Sequence, residues 1–419
     1  MTAAYASSSP TFDHTVVALG ALLVLGALIA GVARRSFLSL TAVFVVAGFV
    51  IGDGGAKLVH FDAGSGFVSS LATVALVLIL FRDGLEVEEE MLQQAWRLPL
   101  RKLVLAMPIT CILVACIARA ATGLDWRESF LLGALLSPTD PVLSSSVVTN
   151  PRVPRVIRHS LNLESGLNDG LALPAVLAFA ASLDPSQSGF VWWKFVLQDV
   201  SIGFATGLVI GYVASLVMPR GRALGSETSP HQKALFAVGV AFASYGVAVL
   251  PPNGNGLIAC FVCAITLGIR RPDIRASFEH RSEDLIEIVK LGIFVVFGSL
   301  LTFGRLFDDG LAAVAIVAFT LLVARPLAVF AALTRTRTDL ATRAFMGWFG
   351  PKGVATMTFS LLVLSEDIVN GSRVFDIASL AVLTSIIAHG LTDHAGANWI
   401  ARRAEAGAAR AEAEVPAPA

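Results

Sequence analysis

The chain has 419 residues, 55% of them hydrophobic and 15% charged, and its 31 basic and 31 acidic side chains cancel. A soluble domain carries about 25% charge, so a water-soluble globule is excluded, and the zero net charge gives no general pull toward nucleic acid. Apolar runs recur near the ~20 residues that cross a bilayer, which points to an all-α polytopic membrane protein. A membrane β-barrel would show alternating segments of ~10 residues instead.

Thirteen spans are predicted in chain order: 15–33, 37–53, 66–83, 102–121, 128–148, 160–183, 190–218, 232–250, 255–269, 283–303, 311–333, 341–364 and 373–396. The first lacks a basic start and is followed by Arg34-Arg35, so it is expected to remain as a helix rather than be cleaved as a leader. Basic residues cluster on alternate loops. Arg97, Arg101 and Lys102, then Arg152, Arg155 and Arg158, then Arg270, Arg271 and Arg275 fall on one side; Lys57, Arg127, Arg305 and Arg373 are nearly all that falls on the other. By the positive-inside rule the amino terminus lies outside and the carboxyl terminus in the cytoplasm of a cell-membrane protein. The tail 401–419, rich in Ala, Glu and Arg, is expected to fray and is too short for a regulatory domain.

The fifth span carries Ser137-Pro138-Thr139-Asp140-Pro141. Each proline removes a backbone donor and clashes with the carbonyl four residues earlier, and each pushes its predecessor toward extended geometry. The helix should therefore open near 137–141, facing protein or a water-filled cavity, since lipid-exposed unwinding is not viable. A second break is predicted in the twelfth span, at Gly350-Pro351-Lys352-Gly353. Spans 5 and 12 are the middle helices of two triplets, 4–6 and 11–13. Interrupted helices at matching places indicate an inverted-repeat transporter with a site near the membrane midplane.

The sixth span carries Glu164-Ser165-Gly166-Leu167-Asn168-Asp169. Ser165 and Asp169 share one helix face, and Glu164 and Asn168 the neighbouring strip. Asp169 lies ten residues past His159, roughly 15 Å deep at the helical rise, too far for a short side chain to reach water. A carboxylate there is a functional-site candidate by default. A Na⁺ ion wants several oxygens; the Ser165 hydroxyl, an Asp169 oxygen and carbonyls freed near Thr139 would supply them, and Asp169 would shed the ion to take a proton. Asp140 either helps to hold the ion or caps a half-helix; Thr139 offers its carbonyl or hydroxyl, or bonds back along its own helix. Glu164 needs a base, and Arg325, in Ala324-Arg325-Pro326, is its expected partner. Lys352, roughly 16 Å from either surface, is expected to neutralise the carboxyl end of a half-helix or an acid such as Asp140.

Other features read more plainly. Cys111, Cys116, Cys260 and Cys263 all sit in apolar segments and are expected to pack as small apolar residues. His389 and His394 titrate near neutral pH in water but read first as satisfied packing residues. Arg82-Asp83 and Glu86 to Glu90 read as a wet helix end, and Glu283, Asp284, Glu287 and Lys290 as the amphipathic start of the tenth span. With no phosphate loop, nucleophile elbow or zinc signature in the sequence, no ATP, no cofactor and no enzymatic activity are expected.

Taken together, Ser137–Pro141, Glu164–Asp169, Ala324-Arg325-Pro326, Gly350–Gly353 and His389-Gly390-Leu391-Thr392 resemble the monovalent cation:proton antiporter family. The likeness is to its electroneutral bacterial and archaeal Na⁺/H⁺ antiporters, relatives of the animal sodium/proton exchangers. The resemblance implies a thirteen-helix homodimer in which 102–183 and 311–396 form a mobile core. Spans in 15–101 and 184–310 then form the dimer domain and its connector, with 1–14 and 397–419 as termini. It implies ion binding by Asp169, Ser165, Thr139, Asp140 and Glu164, with Asn168 as organiser and Arg325 pairing Glu164. The Asn168-Asp169 pair looks like the branch that exchanges one Na⁺, or Li⁺, for one H⁺. Lys352 departs from the family, which usually has arginine there. A K⁺/H⁺ antiporter of the same fold is the alternative reading; a gated cation channel, or a membrane sensor without transport, fits the opposed broken helices and the short tail less well.

Overall fold

The computed structural model describes residues 40–413 except 65, 88–96, 141–144, 186–189, 220–221, 224–225, 252, 337 and 367, together with isolated positions 17, 20, 21 and 24. Apart from those isolated positions the predicted first span falls outside the described residues, as do Arg34-Arg35, Pro141 and the acids 88–90.

Helices follow the predicted order. They are α1 (Leu40–Ile51), α2 (Gly66–Leu85), α3 (Leu98–Thr122), α4 (Trp126–Leu135), α5 (Ser145–Thr149) and α6 (Arg155–Leu183). Next come α7 (Trp192–Val217), α8 (Pro230–Val249), α9 (Gly256–Arg270), α10 (Pro272–Ser299) and α11 (Phe303–Leu306). The last are α12 (Leu311–Ala332), α13 (Leu340–Trp348), α14 (Val354–Ser365) and α15 (Gly371–Ala413). Among the described residues the only strand pairing is a two-residue ladder, Arg222–Ala223 against Ser226–Glu227. Seven of these helices are long and apolar enough to cross a membrane. Large apolar side chains such as Leu208, Val217, Leu322 and Ile387 point outward, as a lipid-facing surface requires. The chain is a multi-pass membrane protein.

Packing sorts the helices into two groups. In one, α1 packs on α10, and α9 packs on α2, α7 and α8. In the other, α3, α4 and α6 pack together, as do α12 with α13 and α14 with α15. The groups meet where α2 packs on α6 and α14, and where α10 packs on α14. Within the first group, α7 and α9 touch backbone to backbone. A Cβ added at Gly203, Gly207 or Gly211 would lie 2.7, 2.3 or 2.6 Å from the carbonyl oxygens of Asn255, Ala259 and Cys263. Cys260 and Cys263 are fully buried on α9, and the Cys260 thiol bonds the Val77 carbonyl of α2.

Both predicted breaks are present: α4 stops at Leu135 and 136–140 is not helical, while α13 and α14 are separated by 349–353. Three further irregularities escape the apolar pattern. α3 carries a π-helical turn at Lys102–Ala106, α7 one at Phe195–Val200 and α12 one at Thr320–Ala324. The first and third end two residues before a proline, Pro108 or Pro326, whose missing N–H forbids the regular ladder.

Candidate functional site

The two broken helices cross and complete one another. The Asp140 N–H donates to the Pro351 carbonyl (2.8 Å), and the Val354 N–H, at the first turn of α14, donates to the Asp140 carboxylate (3.2 Å). Asp140 thus caps α14, one of its two expected tasks. In the reverse direction Lys352, fully buried, donates from Nζ to the carbonyls of Pro138 (3.1 Å) and Ser137 (3.4 Å). Those carbonyls lie just past the carboxyl end of α4, where a cation meets the negative end of the helix dipole. The crossing leaves no room for side chains at Gly353, where an added Cβ would sit 2.4 Å from the Asp140 carboxylate. The Lys352 N–H donates to the Ser385 hydroxyl (2.8 Å), which lies 3.1 Å from Nδ1 of His389. Nε2 of His389 donates to the Trp348 carbonyl (2.8 Å), so this histidine is a satisfied, buried strut between α13 and α15. His394 lies 3.1 Å from the Ser146 hydroxyl of α5, and Asp393 accepts from the Ser146 N–H (3.0 Å).

Beside the crossing runs α6. Asn168 donates from Nδ2 to the Thr139 carbonyl (2.7 Å) and hydroxyl (3.1 Å), so it holds the opened strand in place. Its Oδ1 is buried without a partner among the described residues. Asp169 is buried, and its carboxylate makes no hydrogen bond or ion pair among the described residues. Ser165, one turn away on the same face, is half-buried.

Glu164 is placed differently. One carboxylate oxygen bonds Lys102 Nζ of α3 and the other bonds Arg325 of α12 at 3.2 Å. The expected Arg325 pair is present, and the guanidinium lies so close to Gly350 that a Cβ there would meet it at 1.9 Å. Lys102, expected in a basic loop, is instead fully buried. Its neighbour Arg101 turns the other way and caps α12 through the carbonyls of Ala332 (2.8 Å) and Thr334 (2.9 Å). Lys102 opens the π turn of α3 and Arg325 follows that of α12, so the two distorted turns deliver both cations. Glu164, expected among the ion ligands, is held here between these two cations.

The expected wet helix end at Arg82-Asp83 also needs correcting. Asp83 is buried and accepts from Arg82 at 2.6 and 2.9 Å. Its backbone lies against α6, where a Cβ at Gly166 would come within 3.6 Å of the Asp83 carbonyl. Asp83, Arg82, Asp140 and Lys290 are the charged groups that act most strongly on Asp169. Lys290, expected at an amphipathic helix start, is buried as well. No signal in a single sequence separates these ions from ordinary helix-end charges; only the packing of α2 and α10 on α6 and α14 does.

This is a membrane protein whose two opposed, interrupted helices frame an unpaired intramembrane carboxylate, the architecture of a secondary transporter. Residues 21–395 match the family model described as sodium/hydrogen exchanger, transmembrane, and the chain belongs to that family. It is 24% identical over 394 residues to the K(+)/H(+) antiporter NhaP of Alkalimonas amylolytica, covering 92% of this chain and 67% of that one. It is 25% identical over 406 residues to the Na(+)/H(+) antiporter of Schizosaccharomyces pombe, covering 84% and 83%. The chain spans about two thirds of the length of the NhaP relatives, 67% and 64% for two of them. Its fold is similar to that of the sodium proton antiporter MjNhaP1 from Methanocaldococcus jannaschii (TM-score 0.78, 18% identity), covering 90% of this chain and 99% of that structure.

Proposed function

We propose that the chain exchanges a monovalent cation, Na⁺ or Li⁺, for a proton by alternating access, with Asp169 as the group that carries each in turn. One observation carries this reading: Asp169 is buried, and its carboxylate makes no hydrogen bond or ion pair among the described residues. One monovalent cation, or one proton, neutralises that single carboxylate. A neutral site crosses an apolar barrier far more readily than a charged one, which gives one-for-one exchange with no net charge moved. Ser165 and Thr139 supply further oxygens for the ion, and Asn168 holds Thr139 in place.

In this reading the group containing α3–α6 and α12–α15 moves, and the group containing α1, α2 and α7–α10 stays fixed and forms a homodimer in the lipid of the cell membrane. The amino terminus lies outside and the carboxyl terminus in the cytoplasm, and no ATP is consumed. K⁺ in place of Na⁺ is the second reading, favoured by the names of the NhaP relatives. The deciding experiment uses the purified chain in proteoliposomes with a pH-sensitive dye, pulsed with Na⁺, Li⁺ or K⁺, with and without a clamped potential. Proton movement driven by a cation pulse and indifferent to the clamp is expected; a clamp-dependent current without proton movement would refute exchange.

A further inference from the structure

At the basic end of α9 one guanidinium is fixed in place and left without a counter-charge. Arg270, the last residue of α9, reaches across to α7. Its Nε donates to the buried Ser215 hydroxyl (2.9 Å), and its Cζ lies 4.4 Å from the centre of the Tyr212 ring. Its two terminal nitrogens make no hydrogen bond or ion pair among the described residues. The neighbouring carboxylate is already engaged: Asp273 accepts from Arg271 at 2.8 and 3.0 Å and pairs with Lys233 at 2.9 Å. Arg271 is itself buried and gives its other donors to the carbonyls of Ser215, Met218 and Pro219.

From the Arg270 guanidinium a groove of about 340 Å³ runs along the surface between α7 and α9. It is lined by Phe204 and Leu208 of α7 and by Val262, Ile265, Thr266 and Ile269 of α9. The Thr266 hydroxyl donates to the Val262 carbonyl of its own helix (2.8 Å), so the walls offer no free polar side chain. Val262 to Arg270 spans about 12 Å of helix, close to half of the ~30 Å hydrocarbon core, the share of one leaflet. The groove is preformed, because Gly207 and Gly211 seat α7 directly on the backbone of α9.

We propose that this corner binds an anionic phospholipid, its phosphate accepting from the two free nitrogens of Arg270 and one acyl chain lying in the groove. A guanidinium matches phosphate as a planar, two-pronged donor. Ser215 and Tyr212 hold that fork in one orientation, so little side-chain freedom is lost on binding. Basic pockets between spanning helices recognise anionic headgroups. A zwitterionic lipid would bring an ammonium, and the one carboxylate at hand, Asp273, is engaged. Since the chain touches both walls, the lipid also fastens α7 to α9.

The test uses the purified chain, stripped of lipid in detergent. Thermal unfolding and native mass spectrometry follow the addition of phosphatidylglycerol, phosphatidylcholine of the same chain length, or inorganic phosphate. Phosphatidylglycerol is expected to raise the melting temperature and to stay bound, phosphatidylcholine to do so more weakly, and inorganic phosphate to have no effect. Arg270→Gln removes a charge-assisted pair of hydrogen bonds and is expected to weaken phosphatidylglycerol binding roughly ten- to a hundredfold. Leu208→Trp fills the groove, leaves the guanidinium in place and is expected to weaken binding as well. Equal stabilisation by the two lipids overturns the proposal. So does inorganic phosphate that stabilises as well as phosphatidylglycerol, or either variant binding like wild type. A changed oligomeric mass in Arg270→Gln with lipid binding intact assigns the corner to a second copy of the chain and overturns it too. The comparison of the two lipids on wild type needs no variant, so it decides even if neither variant folds.

Discussion

Glu164 and Asp169 stand five residues apart on α6 and are both buried, yet the fold treats them in opposite ways. Glu164 is gripped by Lys102 and Arg325, one cation from each of two helices. Asp169 has no bonded partner among the described residues, and charges of both signs are arranged around it at a distance. A buried acid that keeps its partners is a fastening. One whose partners stay out of contact is able to accept a mobile ion, because no bond must first be broken.

The largest effect that tests this contrast is on transport. Asp169→Asn is expected to reduce exchange to the background of empty vesicles, since a neutral amide takes up neither proton nor cation. Its thermal unfolding is expected to match wild type, because no contact is lost. Persistent coupled flux would end the contrast.

Glu164→Gln is expected to do the reverse, lowering stability by about 3–5 kcal/mol because Lys102 and Arg325 are left buried together without their counter-charge. Thermal unfolding in detergent measures this; a melting temperature equal to wild type would show that the clamp does not hold the fold. Lys102→Met, which leaves Arg325 in place, is expected to cost less than Glu164→Gln, and the difference measures how the two cations share the acid.

Gly353→Ala drives a methyl group into the Asp140 carboxylate. It is expected to cost about 1–3 kcal/mol, the scale of overpacking, and to slow exchange by spreading the crossing. The smallest effect lies outside the spans, at Asp339, which caps α13 by accepting from the Thr342 N–H (3.1 Å). The hydrogen bond to Thr342 outweighs partial burial and, with Arg403 adding to it, holds this carboxyl below its usual range. Since the folded-state value is the lower one, the stabilisation is present at neutral pH and is lost as pH falls below the ordinary carboxylate range. Asp339→Ala is expected to cost about 1 kcal/mol at neutral pH, the typical value of a cap. That difference should close in acid; a gap that widened there would refute the sign.

Much of this layout is legible in the chain. Pro138, Pro351 and their neighbours announce both breaks, because a missing N–H has the same consequence in any context. Asp169 and the Glu164–Arg325 pair follow from the cost of burying charge. What escapes is the set of ions near span ends: Lys102, Asp83 and Lys290. Each sits beside other charges, as loop residues do, and its burial depends on which helix lies across from it. Lys102 follows Arg101 directly, yet a π turn sends the two in opposite directions. Here the distortion precedes Pro108, but α7 carries one at Phe195–Val200 with no proline in the turn that follows, and hydropathy registers neither.

The three glycines of α7 have a mechanical consequence. With the peptide groups of α7 seated against those of α9, no layer of side chains is left to act as a lubricant, and the pair has only one register in which the backbones fit. Whatever slides in this molecule has to slide against that pair as a single plank. An alanine at Gly207 would pry the plank apart along its length, and the damage would be felt at the far end of the molecule rather than at the site of the change.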